Sequence, residues 1–276
     1  MSPKSATVWR VIGASVVGAI HKRMGKPRQD ALRWQEGKDF AILAVADGHG
    51  SERSPHSAVG ASIAVEVAVQ LLSEFWNGAL SSSAPLSALK RYAEDQLPQA
   101  IVRKWAEEVK AKHAALSDVI PGQEEILLQY GSTLLATLAT SKFLLFIQLG
   151  DGDILTVMDD GTIKRPIPKD ARLFANETTS LCMPYAWREM EVAFWTGSEE
   201  LPSLILLSTD GYANSFASEQ DFLRAGPDYL ALIRKYGLEY VAAHLEEWLA
   251  EASIHGSGDD ITVGLIYRDV IDEEAK

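Results

Sequence analysis

Three apolar runs of this chain end in the same dipeptide. "AILAVADG", "LFIQLGDG" and "LILLSTDG" close on Asp47, Asp151 and Asp210, each followed by glycine, and "GSGDDITVGLI" opens another apolar run with Asp259-Asp260. An Asp-Gly alone is a hairpin-turn signal, and Asp160-Gly161 is read as nothing more. The set carries more, because antiparallel neighbours bring C-terminal ends of some strands beside N-terminal ends of others, so these acids can meet at one sheet edge. Gathering them bare is costly. Two carboxylates about 4 Å apart repel by roughly 4 kcal/mol at an effective dielectric near 20, and three or four protonate or separate unless a cation joins them. An oxygen-only donor set selects hard ions, so Mg2+ or Mn2+ is expected and zinc is disfavoured. A glycine after the acid lets the backbone approach the ion. After Asp47-Gly48 the chain adds His49 and Gly50, which a plain turn does not need.

The elements that must position these residues read as follows. Strands are expected around 8–20, 32–34 and 39–46, and a helix over "SAVGASIAVEVAVQLLSEFW", where Val59, Ile63, Val67, Leu71 and Phe75 recur every four residues as a core-facing stripe. A second helical region runs from Leu86 to Leu116 with a break at Pro98, and "SDVIPGQEE" reads as a loop. "GSTLLATLATSKFLLFIQLGDGDILTVMDDGTI" has the pattern of an antiparallel meander. Residues 164–200 are mixed in polarity and read as an irregular insertion, a flap. A strand at "SLILLSTDG", helices between 218 and 255 and a closing strand at "DDITVGLIYRD" complete the chain. Nothing marks a linker, so 1–276 is read as one domain.

Composition excludes several classes. The chain has 276 residues, 47% hydrophobic, enough for a sizeable core. Its 26 basic and 38 acidic residues leave a net charge of −12, which opposes nucleic acid and anionic membrane surfaces. A single cysteine, Cys182, rules out an intramolecular disulfide framework and a Cys-rich zinc cluster, and fits a reducing compartment. Arg10 interrupts the N-terminal apolar stretch and glycine breaks it from Val11 to Ile20, so a first strand is expected there rather than a signal segment. No uninterrupted run of eighteen apolar residues occurs, and a cytoplasmic protein without a membrane span is expected.

In this order, "DGHG", "GSTLLATL", "LGDGD", "STDGYANSF" and "GDDITVGLI" resemble the metal-dependent serine/threonine protein phosphatases of type 2C, from about Gly13 to Tyr267. The resemblance implies an α+β fold, a four-layer α-β-β-α sandwich of two antiparallel sheets flanked by helices. It implies two Mn2+ or Mg2+ ions with a weaker third. Asp47 would bridge the pair, the Gly48 carbonyl would complete one site, Asp210 and Asp259 would hold the other, and Asp151 matches the acid of the third. Asp260 stands where the family usually has asparagine and is expected behind the ligands. The family's upstream acidic motif corresponds to "RQDA", with Asp30 reaching an ion through water. Five residues before that aspartate, where the family places its phosphate-anchoring arginine, this chain has Gly25. His21, Lys22, Arg23 or Arg28 would have to substitute, and His21, read as ending the first strand, is preferred.

The implied reaction is hydrolysis of phosphoserine or phosphothreonine in proteins by a metal-activated water, with Asp47 at its centre and no covalent phosphoenzyme. His49 is the expected general acid for the departing oxygen. The implied partners are a phosphoprotein substrate and a cognate Ser/Thr kinase, with the enzyme a monomer. Two rivals stand beside it: a non-catalytic phosphoprotein-binding module on the same fold, and a metal-dependent phosphodiesterase or nuclease. Retention of Asp47, Asp210 and Asp259 speaks against the first, and the acidic balance against the second.

Overall fold

The computed structural model describes residues 5–81, 83–115, 122–169, 178–196 and 200–272. Strand β3 (Phe40–Ala46) shows how a period of two builds the architecture. Its Ala41, Leu43 and Val45 enter one apolar cluster and its Ile42, Ala44 and Ala46 another, all of them buried. A strand buried on both faces must lie between two layers.

The strands form two antiparallel sheets. In one, β1 (Ser5–Val16), β10 (Ile261–Asp272), β9 (Leu204–Ser208), β6 (Asp153–Val157) and β7 (Ile163–Lys164) lie in that order; in the other, β2 (Ala31–Glu36), β3, β4 (Leu134–Thr140), β5 (Phe143–Leu149) and β8 (Glu191–Thr196) do. Between the sheets sit Trp9, Val11, Leu43, Val45, Phe146, Ile205, Leu207 and Ile266. Helices α2 (Ser57–Ser81), α3 (Leu86–Asp95) and α4 (Leu97–Ala114) cover the outer face of the β3 sheet. Helices α7 (Glu219–Tyr236) and α8 (Leu238–His255) cover the other sheet. Three apolar interfaces thus separate four layers, as the resemblance implied.

Several elements differ from the sequence reading. β1 stops at Val16, and the short helix α1 (Ala19–Met24) carries His21, which therefore does not end a strand. Of the stripe expected on α2, Val67 and Phe75 are buried in the core and Val59, Ile63 and Leu71 are partly buried against it, while Ala61, Ala64, Ala68 and Leu72 form a fully buried line beside it. Small side chains let the helix lie close on β3 and β4, and Val59, Ile63 and Leu71 flank that line. By length and composition α2 would also pass for a membrane span, against the expectation of none, but half of the qualifying window is buried inside the molecule. The break between α3 and α4 falls at Gln96, with Pro98 in the first turn of α4, where its missing N–H has no partner to lose. Part of the expected loop is helical, α5 (Gln123–Leu128); residues 116–121 lie outside the described residues.

The expected meander is really a hairpin and a crossing. β4 and β5 pair, but β6 leaves for the other sheet and pairs with β9, Asp153 opposite Ser208. Gly150 makes the crossing at φ 109°, beyond the ordinary reach of an L side chain. Asp160-Gly161 is the β6–β7 turn, Gly161 N–H donating to the Met158 carbonyl. Within 164–200, β8 is an edge strand on β5, so that part is not irregular; 170–177 and 197–199 lie outside the described residues.

Register decides where the acids go. Ala31 pairs with Ala46, Val45 with Leu135, Leu134 with Leu149 and Ser208 with both Asp153 and Val263. Asp30, Asp47, Asp151, Asp210 and Asp259 therefore all lie just off strand ends at one end of the two sheets.

Candidate metal centre

Asp30 precedes β2 and is buried. Its Oδ2 accepts hydrogen bonds from Thr209 Oγ1 at 2.8 Å and Thr262 Oγ1 at 2.7 Å, which ties one sheet to the loop ends of the other. Burial pushes its pKa up to about 8, the Asp260 and Asp210 charges adding to the rise and the two threonines opposing it. The sequence reading missed Thr209 and Thr262, which stand one residue before Asp210 and two after Asp260.

Asp47 follows β3 and is clamped from both sides of its backbone. Its N–H donates to Thr133 Oγ1 at 2.9 Å, and its carbonyl accepts from the Thr133 N–H at 2.9 Å. Burial raises the Asp47 pKa well above the carboxylate range, with Asp30, Asp210 and Asp259 contributing and a hydrogen bond to the Asp210 carboxyl. Asp210 heads α6 (Asp210–Ala213), its Oδ2 accepting from Asn214 Nδ2 at 3.0 Å. Its pKa is raised by burial, then by Asp151 and Asp259. Carboxyls whose pKa values are raised in this way favour holding protons when no cation joins them, and this is where the sequence reading put cations. This oxygen-only set fits hard divalent ions, whose charge would replace those protons.

Asp259 and Asp151 are exposed at the rim. The charge of Asp259 acts on Asp47 and Asp210, and that of Asp151 on Asp210 and His49. Asp260 is buried and fully engaged: Oδ1 accepts from Gly18 N–H at 2.7 Å and meets His21 Nδ1 at 2.9 Å, and Oδ2 accepts from Gln29 N–H at 2.6 Å. It stands behind the cluster as a strap. Asp153, also in "LGDGD", instead pairs with Arg165 at 2.9 Å and Lys169 at 3.4 Å.

"DGHG" now has a physical account. A side chain on Gly48 would meet the Gln29 carbonyl at 2.7 Å, and one on Gly50 the Gln29 Oε1 at 2.8 Å, so both glycines let the loop close on the segment leading to Asp30. His49 donates its N–H to the Gly131 carbonyl at 3.1 Å. Its ring lies over Gly131, where an added Cβ would meet His49 Cδ2 at 2.6 Å, Cys182 Sγ at 3.1 Å and Ser54 Oγ at 3.3 Å. Burial lowers the His49 pKa, the Asp151 charge opposing. Burial raises that of Cys182, as suits an inert thiol. His21 faces Asp260 and Asp259, and Arg28 donates from Nε to the Asp30 carbonyl at 3.2 Å and from Nη1 to the Ser15 carbonyl at 2.8 Å. His56 and His113 pack on Tyr130.

Comparison with known proteins follows the same lines. The protein phosphatase 2C family profile matches residues 17–250. Among solved structures, the catalytic domain of the serine/threonine protein phosphatase PstP, in complex with two manganese ions, is 19% identical with a TM-score of 0.57, covering 97% of this chain and 100% of that one. A serine/threonine phosphatase of S. agalactiae is 18% identical, TM-score 0.55, over 94% and 99%. PppA, a regulatory component of the type VI secretion system in Pseudomonas aeruginosa, is 18% identical, TM-score 0.55, over 96% and 100%. At such identities the likeness is one of fold. No curated protein matches the chain by sequence.

Proposed function

Because this chain belongs to the protein phosphatase 2C family, we propose that it hydrolyses phosphoserine and phosphothreonine in proteins at the acid cluster between its sheets. The observation that carries the reading is the gathering of buried Asp30 with half-buried Asp47 and Asp210 at one end of the sheets, at the cost of raised pKa values. A fold keeps so unfavourable a group of acids for a cation to occupy. Asp47, the Gly48 carbonyl, Asp210 and Asp259 are the proposed ligands of two Mn2+ or Mg2+ ions, with Asp30 in reach through water and Asp151 serving a weaker third. When bound, such ions lower the pKa of water and offset charge on the phosphoryl oxygens. The two-manganese complex of PstP supports that occupancy.

The chain's own groups do the rest. Thr133 holds Asp47, and Thr209 with Thr262 hold Asp30, so the donors are preorganised. His49, in the loop after Asp47, donates a proton to the departing serine or threonine oxygen. His21 has one ring nitrogen engaged with Asp260 and the other turned to a carboxylate, so the phosphate contact passes to Arg28, exposed beside Asp30. A Ser/Thr kinase supplies the substrate, and the enzyme acts as a monomer, which light scattering checks. The central test is phosphate release from a phosphothreonine peptide. Activity is expected with Mn2+ and absent in EDTA, and Asp47→Asn, Asp210→Asn and Asp259→Asn abolish it while circular dichroism is unchanged. Metal-independent release would overturn the reading.

A further inference from the structure

We propose that His21 is a nitrogen ligand of this metal centre, aimed by Asp260 at the ion that Asp259 holds. The inference rests on the metal reading above and adds to it a donor outside the oxygen-only set. Its basis is a chain of fixed contacts. Helix α1 is sewn to the loop that carries Asp259: Gly18 N–H donates to Asp260 Oδ1 at 2.7 Å, Ala19 N–H to Ser253 Oγ at 2.9 Å and Ile20 N–H to the Gly258 carbonyl at 2.8 Å. Ser253 Oγ in turn donates to the Asp259 carbonyl at 2.8 Å. The ring of His21 thus cannot drift relative to Asp259.

Its orientation follows from the same contacts. Asp260 Oδ1 lies 2.9 Å from Nδ1, and a carboxylate accepts but does not donate, so Nδ1 carries the proton and a neutral ring presents its lone pair at Nε2. That nitrogen lies 4.0 Å from Asp259 Oδ1. Two donors each about 2.1 Å from one cation lie at most about 4.2 Å apart, so a single ion can span this pair. One ring nitrogen of His21 and one carboxylate oxygen each of Asp259 and Asp260 lie within 4.8 Å of one another. A carboxylate on one ring nitrogen and a cation on the other is the usual way a ligating histidine is held. The side chain of His21 is 14% exposed and that of Asp259 54%, so the pair sits where an ion can enter from solvent. An imidazole ligand favours Mn2+ over Mg2+, which keeps to oxygen.

The test is pulsed electron paramagnetic resonance on the metal-free full chain loaded with Mn2+. A directly bound imidazole gives a nitrogen coupling that changes when the histidines are labelled with nitrogen-15, and His21→Gln removes it. In calorimetric titrations His21→Gln lowers Mn2+ affinity about tenfold more than Mg2+ affinity. Asp260→Asn, which keeps an acceptor for only one of the Gly18 and Gln29 N–H groups, weakens the coupling, with circular dichroism checking that the chain stays folded. Stoichiometric Mn2+ with no nitrogen coupling in the parent overturns this inference alone. A coupling that persists in His21→Gln belongs to another histidine and overturns it too. Absence of bound Mn2+ overturns both it and the metal reading.

Discussion

Residue by residue, His49 carries the sharpest consequence. An alkoxide leaving group needs a proton in the transition state and a nitrophenolate largely does not, so His49→Ala is expected to slow phosphothreonine peptides by roughly 100-fold or more and para-nitrophenyl phosphate far less. Equal losses would remove the proton-donor role. Burial lowers the His49 pKa, so the protonated fraction falls as pH rises through a value below the ordinary 6.5. The parent-to-variant rate ratio on the peptide therefore shrinks between about pH 6 and 8.5; a ratio flat with pH contradicts it. Arg28→Ala is expected to raise KM for the peptide about tenfold with kcat little changed, as loss of a contact made equally in ground and transition states does, and an unchanged KM would return the contact to another residue. Asp151→Ala is expected to leave two ions bound by elemental analysis while turnover falls at limiting metal, and a full complement of activity would argue against a third site.

The elements show which part of this was legible in the sequence. Asp-Gly at the ends of three apolar runs, with Asp259 before the start of another, was enough to gather Asp47, Asp151, Asp210 and Asp259, because antiparallel register brings those strand ends together. Period and composition do not reveal which sheet a strand joins, so β6 read as the third strand of a meander although it crosses to β9. Long-range partners were equally hidden: Thr209 and Thr262 bond Asp30 across 179 and 232 residues, and no local pattern announces that. The stripe on α2 was legible in part, with Val67 and Phe75 buried, but the line of small residues beside it was not, because hydrophobicity ranks Val and Ile above Gly and Ala, whereas close approach to a sheet selects the small residues. Gly60 tests this. A Cβ there would run into the Tyr130 carbonyl, while at Gly78, on the same helix, it would meet nothing. Gly60→Ala is expected to cost about 1–3 kcal/mol by overpacking, and Gly78→Ala to gain about 0.5–1 kcal/mol through helix propensity. Chemical denaturation measures both, and a shift of the same sign for the two would contradict the packing account.

At the scale of the whole molecule, the acid cluster sets how stability depends on pH and metal. Asp30, Asp47 and Asp210 have folded-state pKa values above their unfolded ones, so between about 4 and 8, the value to which Asp30 is raised, the folded chain holds more protons than the unfolded chain. Stability contributed by these groups therefore falls as pH rises through that window, because the slope has the sign of protons bound unfolded minus folded. A net charge of −12 adds general repulsion in the same direction. Divalent ions reverse the local sign, since they bind the ionised acids of the folded state and release the protons those acids held. The metal-free protein is thus expected to lose Tm between about pH 5 and 8, and saturating Mn2+ to raise Tm more at pH 8 than at pH 5, where protons compete. Asp30→Asn removes the most clearly displaced carboxyl while keeping an acceptor for the two threonines, so it flattens the metal-free dependence. Scanning calorimetry across that range, with and without Mn2+, decides the matter: a metal-induced gain that is the same at both ends of the window would mean the acids are not the ions' ligands.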